Sequence, residues 1–593
     1  MAITRSRDAR KSQGWFVITD FWFSRDGWHR SCTSPIKAAG PRKSLYFPHS
    51  RFIIPDPYPP FPDPVSKPRI LIVTPEITYL PDGMGNMAQR MHAKAGGLAD
   101  VSASLVSALF QLGADVHVAL PNYRQMFNTD VFEIFSQELE TMRKALPEER
   151  IHLAEDRIFY YRDSVYSSYG GENPRIALAF QREVLNNIIP RVRPNLIHCN
   201  DWMTGLIPAA ARRFRIPTLF TVHNIHTEKM TLEGIESSGI DAAQFWNHLF
   251  FSTNPWNYET ARSRAPVDLL ASGIFAAHYI NSVSPSFLNE VADGHHPFVP
   301  EAVRSEIKNK RDAGCAVGIL NAPDESYNPS TDGALPIKYQ AGNFMEGKRA
   351  AKRLLQEKTG LRRDENAPLL FWPSRLDPVQ KGPQLLTSIL YQTLEDYKGE
   401  NLQLAVVANG EFQRHFHDIV RQHALHKRVT VCNFNESLSR IAYAASDFTL
   451  MPSRFEPCGL PQMVAPIYGS LTIAHNTGGL RDTVHHLHPD GSQGNGFLFD
   501  NFDAGGLRWG IDRALDFYRR PVHEKEAVIE RVMRESLQQF NHAETARRYF
   551  EIYEAMLQRP LVVQDEQAAP HPAVPAPKPH PRSRARTGKK ARI

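Results

Sequence analysis

Short apolar runs alternate with amphipathic stretches through the middle of this chain, in two separate series. Arg69 to Thr74 reads RILIVT, the composition of a strand buried on both faces. Leu98 to Leu112 follows with helical spacing, then Ala114 to Leu120 (ADVHVAL), Leu196 to Cys199, Thr218 to Val222 and Tyr279 to Val283. A second series opens at Leu369 to Trp372, after a charged helix from Lys348 to Thr359. It continues through Leu404 to Ala408, Val429 to Val431, Phe448 to Met451, Leu471 to Ala474 and Gly496 to Phe499. Strands that alternate with helices build parallel, doubly wound sheets. Two series therefore predict an α/β protein of two Rossmann-like domains. Ligands of such sheets bind beyond the carboxyl ends of the strands, here in the cleft between the domains.

The length, 593 residues, accommodates two large α/β domains and tails. Residues 1–68 read as an N-terminal extension that ends in a proline run, Pro55 to Pro64, a semi-rigid spacer. Residues 69–340 form the first domain and 341–540 the second. The helix at 541–560 has the length and amphipathicity to cross back to the first domain. Residues 561–593 are a basic, Pro-rich tail with too little apolar content to fold.

The net charge of +6 comes from the ends. Residues 578–592 carry seven Lys or Arg and no acid, and residues 1–69 carry twelve Lys or Arg against five Asp. The folded middle is left acidic, which argues against a nucleic-acid-binding core. The five cysteines (Cys32, Cys199, Cys315, Cys432, Cys458) are scattered, with no C-x-x-C. They form neither a disulfide framework nor a zinc site and fit a reducing cytoplasm. No apolar run reaches the roughly 18–20 residues that span a bilayer. The N-terminus has no signal-type apolar stretch.

Polar groups gather where the strands end. Lys94-Ala95-Gly96-Gly97-Leu98 follows the first strand and precedes a helix, a place where backbone N–H groups meet an anion. His198-Cys199-Asn200-Asp201-Trp202 ends one strand and Thr221-Val222-His223-Asn224 the next. Ser374-Arg375-Leu376 and Gln380-Lys381-Gly382 follow the first strand of the second series. Arg375 and Lys381 suit one departing diphosphate. Pro452 to Leu460 reads PSRFEPCGL, a strand end, a carboxylate (Glu456) and then Cys458-Gly459 at the start of a helix. Asn476-Thr477-Gly478-Gly479-Leu480 lies beyond it. An anion at a helix end with a carboxylate beside it fits a ligand that is part phosphate and part sugar. No metal-ligand spacing, Walker sequence or G-x-S-x-G occurs.

Taken together, these segments resemble the bacterial glycogen synthase and plant starch synthase family over roughly residues 69–560. The resemblance implies a two-domain GT-B fold and retaining transfer of glucose from ADP-glucose or UDP-glucose, ADP-glucose favoured, to the non-reducing end of an α-1,4-glucan. It implies no cofactor and no metal. By motif position, Lys94, Gly96 and Gly97 meet the donor's phosphates or sugar, and His223 holds the glucose, with Asn224 beside it. Asp201 sits near glucose and acceptor, and Arg375 and Lys381 hold the diphosphate. Glu456 stabilises positive charge near the anomeric carbon, and the Cys458, Gly459 and Leu460 amides bind donor hydroxyls. Thr477 and Gly478 add donor contacts, and Phe434 lies against the base.

Departures from the family pattern fall at Ala95, at Asn200 in place of the second His of His-x-His-Asp-Trp, at Ala271 where a Lys is usual nearby, and at Ala322. Two other readings stand beside the leading one. One is a GT-B transferase with another sugar or acceptor. The other is a weakened paralogue that binds nucleotide-sugar or glucan as a regulatory subunit.

Overall fold

The computed structural model describes residues 67–85, 87–127 and 150–562. The N-terminal extension expected at 1–68 falls almost wholly outside the described residues, as does the tail beyond Val562.

Among the described residues, nine strands arise in the first half: β1 (Arg69–Val73), β2 (Asp115–Pro121), β3 (Ile151–Ala154), β4 (Leu196–Asn200), β5 (Thr218–Val222), β6 (Lys229–Met230), β7 (Val267–Asp268), β8 (Tyr279–Ser282) and β9 (Ala316–Gly318). Seven of them form one sheet in the order β3-β2-β1-β4-β5-β8-β9, every pair parallel. β6 and β7 make a separate antiparallel pair. The sequence reading missed β3 and β9 at the sheet edges. IHLA and AVG are too short to stand out as apolar runs.

The second half supplies β10 (Leu369–Trp372), β11 (Gln403–Val407), β12 (Val429–Cys432), β13 (Phe448–Met451), β14 (Leu471–His475) and β15 (Gly496–Phe499), in the order β12-β11-β10-β13-β14-β15. Alternation along β10 shows how the sheet is sandwiched. Leu370 and Trp372 join one buried layer, Leu369 and Phe371 the other. Such strands are apolar throughout because both faces are covered.

Chain order reverses at β1/β4 in the first sheet and at β10/β13 in the second. A doubly wound sheet opens a crevice at this switch, beyond the carboxyl ends of the two strands. The loops after β1 and β4, and those after β10 and β13, carry the motifs singled out above.

The last helix (His542–Leu557) returns to the first domain. Ala546, Tyr549 and Tyr553 are buried within that domain's core. Asn281 on β8 donates to the Tyr549 hydroxyl at 2.9 Å. Thr221 donates to Asn281 Oδ1 at 2.6 Å, so its oxygen accepts from His198 Nε2, also at 2.6 Å. His198 Nδ1 is left to accept from the Tyr553 hydroxyl at 2.7 Å. This chain of bonds satisfies buried polar groups of β4, β5 and β8.

The domains also meet through the helix Pro285–Ala292. Asp482 of the second domain accepts from the Ser286 amide at 2.9 Å and hydroxyl at 2.6 Å. Buried Glu290 accepts from the Gly478 amide at 2.9 Å, the Thr477 hydroxyl at 3.2 Å, Arg481 at 3.1 Å and His296 at 2.9 Å. Phe298 of the first domain packs on Phe455 of the second, ring centroids 4.4 Å apart.

Candidate functional site

Loops from both switch points line one cleft of about 700 Å³, walled by Glu76, Gly96, Gly97, Asp201, His223 and Asn224 on one side and by Arg375, Lys381, Glu456, Cys458, Gly459 and Leu460 on the other.

On the first wall, β4 ends in Asp201, which has φ +55°, a left-handed conformation that a non-glycine residue adopts under strain. The turn buries the carboxylate and aims it at the end of β5. Asp201 Oδ1 accepts from the His223 amide at 2.8 Å, and Oδ2 from Asn224 Nδ2 at 3.0 Å. Burial outweighs the His223 and Asn224 amide donors and pushes the Asp201 carboxyl up to about 7. Asp201 therefore shapes the His223-Asn224 turn as well as facing the cleft. His223 Nε2 donates to Asn200 Oδ1 at 2.9 Å, and burial pulls its imidazole down to about 3, so the ring is neutral near pH 7.

The sequence reading overlooked Glu76, just beyond β1. Its buried carboxylate accepts from the Ala95 amide at 2.6 Å and the Gly96 amide at 3.0 Å. Burial holds this carboxyl above the usual range against those two bonds. The Gly96 amide, expected to meet the donor's phosphates, is thus engaged by the protein's own carboxylate. The legible signal was positional, a carboxylate at the carboxyl end of a switch-point strand. Gly97 approaches the opposite wall, where a Cβ would lie 4.0 Å from Leu460 Cδ1.

On the second wall, Lys381 and Glu456 form an ion pair at 2.5 Å, and Ser453 donates to the same carboxylate oxygen at 2.9 Å. Glycine makes this arrangement possible at two points. Gly382 has φ +72°, and a Cβ there would meet the Pro452 carbonyl oxygen at 2.4 Å. Gly478 has φ +47°, and a Cβ there would meet the Glu456 carbonyl oxygen at 2.1 Å. The Lys381 turn and the Gly478 turn thus clasp the Glu456 loop from two sides. Arg375 lines the cleft with an exposed side chain.

The structure places the remaining candidates as follows. Thr477 and Gly478 do not line the cleft; their hydroxyl and amide hold Glu290, and Gly478 backs the Glu456 turn. Gly-Gly before a helix reads equally as an anion site or as close backbone packing, and here it is the second. The helix beyond Gly459 begins at Pro461, so Cys458, Gly459 and Leu460 belong to the loop that precedes it. Lys94 lies off the cleft wall and pairs with Asp100 at 2.7 Å. Phe434 is exposed and off the wall, its amide bonded to Asn409 Oδ1 at 2.9 Å. Among the family departures, Ala95 contributes only its amide. Ala271 is buried inside the helix Leu269–Ala276, and Ala322 is buried beside Asn321 on the cleft wall.

The model for the starch synthase catalytic domain matches residues 69–299, and that for glycosyl transferases group 1 matches residues 356–530. The glycogen synthase of Anoxybacillus flavithermus is 30% identical over 490 residues, covering 78% of this chain and 95% of its own. That of Bacillus subtilis is 32% identical over 446 residues, covering 72% and 88%. Among solved structures, the catalytic domain of starch synthase IV from Arabidopsis thaliana, bound to ADP and acarbose, superposes with a TM-score of 0.65. It is 25% identical and covers 83% of this chain and 100% of its own. The two parallel sheets, the shared cleft and these matches establish a GT-B glucosyltransferase that belongs to the glycogen synthase and starch synthase family.

Proposed function

We propose that the chain transfers glucose from a nucleoside diphosphate glucose, ADP-glucose in preference to UDP-glucose, to the non-reducing end of an α-1,4-glucan with retention of configuration. The observation that carries this reading is the facing of Arg375, Lys381 and Glu456 toward Asp201, His223 and Asn224 across one cleft. The starch synthase IV domain was solved with ADP and acarbose, a nucleotide and a glucan-like ligand, which supports this donor and acceptor chemistry.

In this reading the bond from the anomeric carbon to the diphosphate oxygen breaks, and the electron pair leaves with the diphosphate. Arg375 and Lys381 meet that charge, in place of a metal ion. Glu456 faces the positive charge that develops on the sugar. The acceptor hydroxyl attacks from the face the diphosphate leaves, and its proton passes to the departing phosphate oxygen. The four cysteines of the described residues are free, which supports a cytoplasmic setting. No helix among the described residues is long and apolar enough to cross a membrane.

Radiolabelled ADP-glucose and UDP-glucose, each supplied with and without glycogen, test the reading. Polymer-bound label should accumulate with ADP-glucose, resist chelation of divalent metal, and be released by an enzyme that cleaves only α-1,4 linkages. Lys381→Ala and Glu456→Ala should each lower the rate by about 100-fold or more, in the range for loss of a transition-state charge partner. Unchanged rates in those variants, or nucleotide binding with no transfer to any glucan, would reject the reading.

A further inference from the structure

Asn200, the last residue of β4, is buried directly behind His223. Its Nδ2 donates to the Val73 carbonyl at 3.1 Å. A carbonyl oxygen can only accept, so the amide nitrogen must face Val73 and the amide oxygen must face away from it. On that side stands His223 Nε2, 2.9 Å from Asn200 Oδ1. Two acceptors make no hydrogen bond, so Nε2 carries the proton. This assignment follows from the partners alone. In a neutral ring the other nitrogen, Nδ1, is then a lone pair, on a side chain that lines the cleft.

We propose that Asn200 is a positioning residue for glucosyl transfer: it locks His223 in the Nε2–H tautomer and leaves Nδ1 as the acceptor for one hydroxyl of the bound hexose. The inference rests on the reading that this cleft binds a hexosyl donor. The tautomer decides which partner the ring can take. A ring protonated on Nδ1 would seek a lone pair on the sugar, whereas the locked ring seeks a hydroxyl proton. It also explains why the family departure at Asn200 need not be a loss. A histidine there can donate or accept through either nitrogen and leaves the tautomer of His223 open, while an asparagine pinned to Val73 offers only an acceptor.

Three measurements on the full chain test this. Long-range proton–nitrogen correlation on ¹⁵N-histidine protein, with the His223 signals identified by their loss in His223→Gln, reads the tautomer directly; Nε2–H is expected. Asn200→Ala should lower kcat by about 10–100-fold while KM for the nucleotide-sugar changes less than about threefold. Finally, with donors lacking one sugar hydroxyl at a time, a single analogue should be strongly discriminated against by the wild type and nearly tolerated by Asn200→Ala.

A proton on Nδ1 in the wild type overturns the proposal, whether or not the variants fold. So does a kcat for Asn200→Ala within twofold of wild type. Loss of stability with no change in hydroxyl discrimination marks a merely structural role and also overturns it. Absence of glucan transfer by the wild type counts against the proposed function, while the tautomer measurement still decides for or against Asn200.

Discussion

At the scale of single residues, the cleft is set by carboxylates with unequal surroundings. Asp201 is raised to about 7 by burial, whereas a free Asp titrates near 3.9. Between those values the native state binds a proton that the unfolded chain releases. Its stabilising contribution is therefore complete below about pH 4 and is lost as pH rises through about 7. Asp201→Asn should flatten the decline in stability across this window in urea unfolding at a series of pH values. Glu76, also raised, should preserve part of the slope. An unchanged slope in Asp201→Asn would show that the carboxyl is ionised throughout. Gly478 gives a steric prediction. A Cβ 2.1 Å from the Glu456 carbonyl oxygen, at φ +47°, forces the backbone to move. Gly478→Ala should cost about 1–3 kcal/mol of stability and reduce transfer sharply, because the Glu456 loop shifts. A variant with wild-type rate and melting temperature would show that the turn relaxes without moving Glu456.

At the scale of elements, Glu290 ties a first-domain helix to a second-domain turn. His296, the Gly478 amide and Arg481 hold its carboxyl below the ordinary range against burial. A depressed carboxylate stabilises the fold above its unfolded pKa and loses that contribution as pH falls through its lower folded value. Glu290→Gln should cost about 1–3 kcal/mol at pH 7 and soften acid unfolding below roughly pH 4. Identical acid transitions in the two proteins would contradict this.

These elements also show what the sequence made legible. Eleven strands of the two sheets read as apolar runs because both faces of each sheet are covered, and the motifs at their ends followed from the winding of the sheet. β3 and β9 escaped because three or four residues at an edge carry no periodicity. Glu290 escaped because its partners Thr477 and Gly478 lie far along the chain, and Glu76 because only its place just beyond β1 sets it apart from a solvated carboxylate. Thr477 and Gly478 are ambiguous for a different reason. Their composition suits two physical roles, and only the proximity of Glu456 and Glu290 selects between them.

At the scale of the molecule, the site exists only where the two domains meet, and the first domain is itself incomplete without the end of the chain. A chain ending at Phe540 would lose the tyrosines that partner His198 and Asn281 and would expose the core that Ala546, Tyr549 and Tyr553 cover. Such a truncation should fail to fold stably, while Tyr553→Phe, which keeps the ring and removes one hydrogen bond, should cost about 1 kcal/mol by thermal or urea unfolding. A truncated chain that melts like the full one would show the crossing helix to be dispensable.

The returning helix has a further consequence for how the protein is made. A ribosome releases the first sheet early and Tyr549 and Tyr553 only after the entire second domain. At roughly 5–20 residues per second, the nascent sheet waits on the order of tens of seconds for the aromatic residues that seal it. Throughout that interval its surface is sticky and His198 Nδ1 lacks its tyrosine partner. The protein's greatest exposure to aggregation therefore falls during its own translation, and codons that slow the second domain would lengthen it.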